Sequence, residues 1–220
     1  QLRESDMSFP RLLTVFMLLQ AINPISSRAE PRGGQALYGE YCAFCHAPDR
    51  SGYQADNAPS LRSPTFLETA STQFLEHAIN RGRPGTAMSG YSARQGGPLS
   101  AEETQRIVEF LRQDAPAPLA DNGAPVRGVP QLGKTLYQQH CRGCHGTPSA
   151  RGHAIHLFNA ELLTSASDRF LRHAIVNGRP GTPMTSWKER LKPAQIDHLV
   201  AHLRSEARPP VRGVLETEKA

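Results

Sequence analysis

All four cysteines of this chain fall in two short phrases, Cys42-Ala-Phe-Cys45-His46 and Cys141-Arg-Gly-Cys144-His145. Each phrase opens a unit that the chain writes twice. GQALYGEYCAFCH (34–46) aligns with GKTLYQQHCRGCH (133–145) at an offset of 99 residues. FLEHAINRGRPGTAM (74–88) aligns with FLRHAIVNGRPGTPM (170–184) at 96, and 99–111 aligns with 191–203 at 92. Three blocks in one order, with shrinking offsets, describe a duplicated unit with shorter loops in the second copy. Two copies of this length suit two small domains better than a solenoid, which stacks more and shorter repeats.

Both copies read as helices. Thr104, Ile107, Val108 and Leu111 fall at i, i+3, i+4, i+7, as do Ile196, Leu199, Val200 and Leu203. Ser100 and Glu103 match a capping box, and Pro193 stands where a first helical turn accepts proline. Phe74, Leu75, Ala78 and Ile79 mark a shorter helix that Gly82 ends, and neither copy carries a convincing alternating strand. The expected fold class is all-α.

Such helices have little to pack with. Leu, Ile, Val and Phe make up 45 of 220 residues, and only 35 of the 191 residues in 30–220. That is near the level of about 20% below which a chain struggles to build a core. A formal charge of +5 is too small, and the pattern too ordered, for plain disorder. The core is therefore expected to contain something besides side chains. No stretch reaches the roughly 18 apolar residues of a membrane span. Collagen, coiled coil and a large self-sufficient α/β enzyme are excluded on the same composition.

C-x-x-C-H is the attachment signature of c-type haem. Two thiols one helical turn apart can each add to a haem vinyl group, and the following histidine can bind iron. A zinc ribbon needs its cysteine pairs about 15–20 residues apart, whereas 95 residues separate Cys45 from Cys141. A thioredoxin-like pair needs a βαβ context, and structural disulfides would leave the paired histidines unexplained. Two covalent haem c groups are expected, held by Cys42, Cys45, Cys141 and Cys144, with His46 and His145 as iron ligands. Met88 and Met184 are the expected opposite ligands. They end the repeated phrase G-R-P-G-T-x-M and are the only methionines beyond the N-terminal apolar run. A thioether opposite imidazole raises the haem potential. His153 and His156 are rival ligands in the second copy. Arg83 and Arg179 suit haem propionates, because a guanidinium matches a carboxylate. The recurring His77 and His173 are read as hydrogen-bonders to propionate or backbone, and Tyr91 and Trp187 as aromatics packed on the haem.

Over residues 30–205 the chain resembles a di-haem cytochrome c made of two tandem class I domains. The resemblance implies that Gly34 with Tyr38, and Gly133 with Tyr137, pack the first helix on the last. It implies that Pro59, in NAPSL, offers its carbonyl to Nδ1–H of His46, a bond that orients a ligand imidazole and raises its basicity. The second copy has no matching proline before Phe158.

The expected organisation is a signal peptide (1–29), a first cytochrome domain (30–113), a proline-rich linker (114–130), a second domain (131–208) and a tail (209–220). Arg11 precedes an apolar run over residues 12–19, Asn23-Pro24 breaks it, and Ser27-Arg28-Ala29 offers a cleavage site. A Gram-negative periplasm follows from that signal and from the need to attach haem outside the cytoplasm. With six ligands on each iron, the expected role is single-electron transfer between periplasmic redox partners rather than enzymatic catalysis. Two readings stay open: a cytochrome subunit of a dehydrogenase or terminal oxidase, and a di-haem redox enzyme should one sixth ligand be labile. Residues 30–117 carry a formal −2 and residues 118–220 a formal +6. The second half is therefore expected to dock an acidic partner through Arg142, Lys188, Arg190 and Lys192. Nothing points to nucleic acid.

Overall fold

In a computed structural model of the chain, residues 31–120 and 125–207 are described. The expected signal peptide (1–29) and the tail from 209 lie outside them. The regular structure of the described residues is almost wholly helical, with ten α-helices and one 3-10 turn, Ala93–Gln95. The first five are α1 (Gly34–Tyr41), α2 (Ala43–His46), α3 (Pro64–Leu67), α4 (Thr72–Arg81) and α5 (Ala101–Arg112). The second five come in the same order: α6 (Pro130–His140), α7 (Arg142–His145), α8 (Ala160–Ser165), α9 (Asp168–Asn177) and α10 (Pro193–Ser205). A two-residue hairpin, Gly146–Thr147 with Ala150–Arg151, is the only sheet among the described residues.

Local chemistry sets the helix ends. Ser71 and Ser167 cap α4 and α9 by accepting from the backbone N–H of Phe74 and Phe170. Gly82 and Gly178 end them at φ 67° and 65°, a conformation glycine adopts without strain. Ser100 and Glu103 form the capping box of α5. Pro130 begins α6 rather than ending the linker, since proline fits a first turn whose N–H would be unpaired in any case.

The first and last helices of each repeat cross backbone to backbone. A Cβ on Gly34 would stand 2.0 Å from the carbonyl oxygen of Arg106, and one on Gly133 would stand 1.8 Å from that of His198. Arg106 and His198 occupy corresponding positions of the two repeats. Over each crossing lies a tyrosine. Tyr38 meets Phe110 with ring centroids 5.4 Å apart, and Tyr137 meets His202 at 5.5 Å. Leu37, Ile107, Val108 and Leu111 complete the first core. Ile196, Leu199, Val200 and Leu203 complete the second.

A seam joins the repeats. It places α3 against α9 and α4 against α8, which are the same pair of elements with the repeats exchanged. Phe170 packs on Phe66 and Phe74 at centroid distances of 5.9 and 4.7 Å. The described residues from Arg32 on form one compact unit. The connecting segment is tied down: Leu119 N–H donates to Glu68 O (2.7 Å), Val126 N–H to the Asp168 carboxylate (2.8 Å) and Val129 N–H to His198 Nδ1 (3.0 Å).

His202 stands where the first repeat has Phe110 and is 4% exposed. Burial holds its pKa below the ordinary histidine value of about 6.5. A folded-state pKa below the unfolded one means stability is complete above the unfolded value and is lost as pH falls through the folded one. Urea midpoints should therefore fall between pH 7.5 and pH 5. His202→Phe, which copies the first repeat, should make that fall shallower.

Candidate functional site

Each C-x-x-C-H phrase forms a bend and one turn of helix. Cys42 and Cys141 are the joints, with φ/ψ of −119°/−34° and −117°/−35°. The amide of His46 donates to Cys42 O at 2.9 Å and that of His145 to Cys141 O at 3.0 Å, so each histidine lies one turn past its first cysteine. A core tyrosine anchors the residue after each histidine. The hydroxyl of Tyr38 donates to Ala47 O (2.7 Å) and that of Tyr137 to Gly146 O (3.1 Å). All four thiols are unpaired, and burial pushes Cys42 up to about 12 and Cys141 to about 11.

Both histidines are buried, and each has its Nδ1 against a backbone carbonyl. For His46 the acceptor is Pro59 O at 2.9 Å. For His145 it is Ile155 O at 2.7 Å. Burial lowers both pKa values, favouring neutral imidazole. An Nδ1–H donated to a carbonyl leaves Nε2 with its lone pair free for a metal. The second repeat thus needs no proline. Ile155 supplies the same atom, which sequence could not reveal because any residue has a carbonyl.

The two methionine loops are built alike. Arg83 N–H donates to Met88 O and Arg179 N–H to Met184 O, both at 2.7 Å. Inside each loop a threonine hydroxyl donates to the arginine carbonyl: Thr86 to Arg83 at 2.8 Å and Thr182 to Arg179 at 2.7 Å. The same oxygens accept the methionine amides at 3.1 Å. Asp56 adds a tie in the first repeat by accepting from Ala87 N–H at 2.9 Å. Of the rival ligands, His156 is engaged, with Nε2 2.9 Å from Thr147 O, and His153 is exposed.

Arg83 and Arg179 lie at the seam. Arg83 stands over the Phe74 ring, and Arg179 over Phe66 and Phe170. Burial lowers both guanidinium pKa values to about 10. Neither forms an ion pair among the described residues; their hydrogen bonds go to carbonyls and to the Thr65 hydroxyl. His77 and His173 both reach across to the other repeat. Each Nε2 faces a carboxylate there, Glu161 at 2.6 Å and Glu68 at 3.2 Å. Tyr91 donates to Tyr41 O at 3.1 Å, and Trp187 packs against His140 with ring centroids 5.3 Å apart and planes tilted by 52°.

These residues fit haem c. Each repeat presents two free thiols beside an imidazole whose tautomer is set for ligation, a tied methionine loop, and a half-buried guanidinium that forms no ion pair among the described residues. Taking an unpaired cation partly out of water is costly, and a haem propionate would supply the missing charge.

The family model described as cytochrome c oxidase, cbb3-type, subunit III matches residues 29–111 and again 128–203. The cbb3-type cytochrome c oxidase subunit CcoP of Azospirillum sp. is 28% identical over 191 residues, covering 78% of this chain and 60% of that protein. The chain therefore spans less than two thirds of that relative's length. The dihydro-heme d1 dehydrogenase of Pseudomonas aeruginosa is 38% identical over 81 residues, 37% of this chain and 16% of that one. Among solved structures, a chain of the Kuenenia stuttgartiensis reducing HAO-like protein complex covers 81% of this chain and 97% of its own length. It aligns at 20% identity and a TM-score of 0.48.

The threonine ties give a direct test of the loops. Thr86→Val or Thr182→Val should each cost about 1 kcal/mol, the usual net worth of such a bond. Hydrogen exchange should quicken at the methionine amide of the altered repeat and not at the other.

Proposed function

The chain belongs to the family of cbb3-type cytochrome c oxidase subunit III, and from that premise we propose that it is a di-haem c-type cytochrome that passes single electrons within an oxidase complex. The observation that carries this reading is the pairing, in both repeats, of unpaired C-x-x-C thiols with an imidazole whose Nδ1 is committed to a carbonyl. The reading divides the chain into two tandem class I cytochrome domains, 30–113 and 131–208, joined by the proline-rich segment. It places the chain in the periplasm behind a cleaved signal peptide. The likeness to an oxidase subunit favours a complex over a free carrier, and the same ligand set gives no support to a di-haem enzyme.

Each residue then has a task. Cys42, Cys45, Cys141 and Cys144 form the thioether links. Pro59 O and Ile155 O orient His46 and His145, which together with Met88 and Met184 would ligate the haem irons. Arg83 and Arg179 neutralise propionates, while Tyr91 and Trp187 line the haem crevices. Ferric–ferrous cycling, one electron at a time, is the chemistry the bound haem supplies. The polypeptide excludes water, fixes the ligands and presents a docking surface. Two saturated ligand sets leave no place for a substrate.

Mass spectrometry of the mature protein should show two covalent haem additions. Cys42→Ala or Cys141→Ala should each lose one. One addition in the unaltered protein, or bound zinc, would contradict the reading.

The docking surface is assigned to the second domain. Arg142, Lys188, Arg190 and Lys192 are exposed, and Arg190 extends over the Trp187 ring, 5.3 Å from its centroid. Such charges steer an acidic partner at a rate that falls with salt. The second-order electron-transfer rate should drop as ionic strength rises, and Lys188→Glu with Arg190→Glu should lower it further at low salt.

A further inference from the structure

His77 and His173 are repeat-equivalent, 96 residues apart, but the carboxylates they meet are not. At that same offset the counterpart of Glu161 is Thr65, and the counterpart of Glu68 is Thr164. The second position of α8 therefore holds a carboxylate where the second position of α3 holds a hydroxyl.

The two places differ in what they do to the arginine beside them. The Glu161 side chain is 4% exposed, with Oε2 2.6 Å from His77 Nε2 and Oε1 3.4 Å from Arg81 Nε. Its charge also acts on the half-buried Arg83. These three partners all belong to the first repeat, so the second repeat delivers a buried negative charge to the first. Across the seam, Thr65 offers Arg179 only its carbonyl and hydroxyl, 3.0 and 3.4 Å from Nη1. Position 81 is an arginine, and its counterpart Asn177 is neutral. The other carboxylate, Glu68, stands 3.2 Å from His173 and acts on Arg179 in the same sense, but its side chain is 31% exposed, so water screens it more. A buried carboxylate is expensive even when paired, and a glutamine of the same shape would keep the hydrogen bond to an N–H donor without the charge.

The geometry points to Glu161 as a positioning residue by which the second repeat lowers the reduction potential of the first repeat's haem site, making the two sites unequal. The inference rests on the di-haem reading above. A fixed negative charge near a redox centre favours its more positive, oxidised form. The Glu161 charge also acts on Arg83 without pairing with it, and so weakens the hold of that guanidinium on a haem carboxylate, a hold that would favour reduction. Both effects have one sign, and at the second site the corresponding charge comes only from the more exposed, screened Glu68.

The experiment is an anaerobic potentiometric titration of the holoprotein after its haem count has been fixed by mass. Glu161→Gln should raise one of the two one-electron steps and leave the other in place. A charge about 12 Å away, acting through an effective dielectric of about 20, changes such an equilibrium by about tenfold, which is about 59 mV for one electron. Thr65→Glu, which installs the carboxylate at the equivalent place, should lower the other step. This second variant keeps the test open should Glu161→Gln fail to fold. Unmoved steps, equal movement of both, or both variants moving the same step would overturn the role of Glu161. Fewer than two haems by mass would instead overturn the di-haem reading, and this inference with it.

Discussion

The crossing of the first and last helices at Gly34 and Gly133 is the constraint on which the rest of each repeat depends. Backbone meets backbone there, with no room for a side chain. The approach brings Tyr38 and Tyr137 into the core, where their hydroxyls reach past the histidine to Ala47 O and Gly146 O. The helix crossing thereby sets the height of the C-x-x-C-H turn, and the turn sets the place of the imidazole. A larger residue at either glycine would displace the imidazole as well as the helix.

The seam is the second level of organisation. Exchange of α3 and α8 between the repeats buries Phe66, Phe74 and Phe170 and brings both methionine-loop arginines to one interface. Each helix histidine then meets a carboxylate of the other repeat. The repeats are alike in their ligand sites and unlike at the seam. The duplicated parts therefore carry the shared chemistry, and the diverged parts are where the two sites can be made different.

Much of this was legible in sequence because it rests on side-chain identity and spacing. The paired C-x-x-C-H phrases, the i, i+3, i+4, i+7 stripes of α5 and α10, the capping box at Ser100 and the stop at Gly82 are all of that kind. The rest depends on atoms every residue has, or on partners far along the chain. Ile155 serves His145 through a carbonyl, and Glu161 meets His77 across 84 positions. His202 replaces an aromatic with a titratable ring at one core position, which aligning the copies reveals but whose burial only packing shows. The short hairpin after His145 is too brief for any alternation to register.

The account centres on two irons held alike, His46 with Met88 and His145 with Met184. The most direct test is the near-infrared spectrum of the oxidised protein, in which methionine–iron ligation gives a weak charge-transfer band. The account predicts a band with the intensity of two such sites per chain, reduced by half in Met88→His and again by half in Met184→His. A band of single-site intensity that Met184→His leaves untouched would contradict it and make His153 or His156 the ligand of the second repeat.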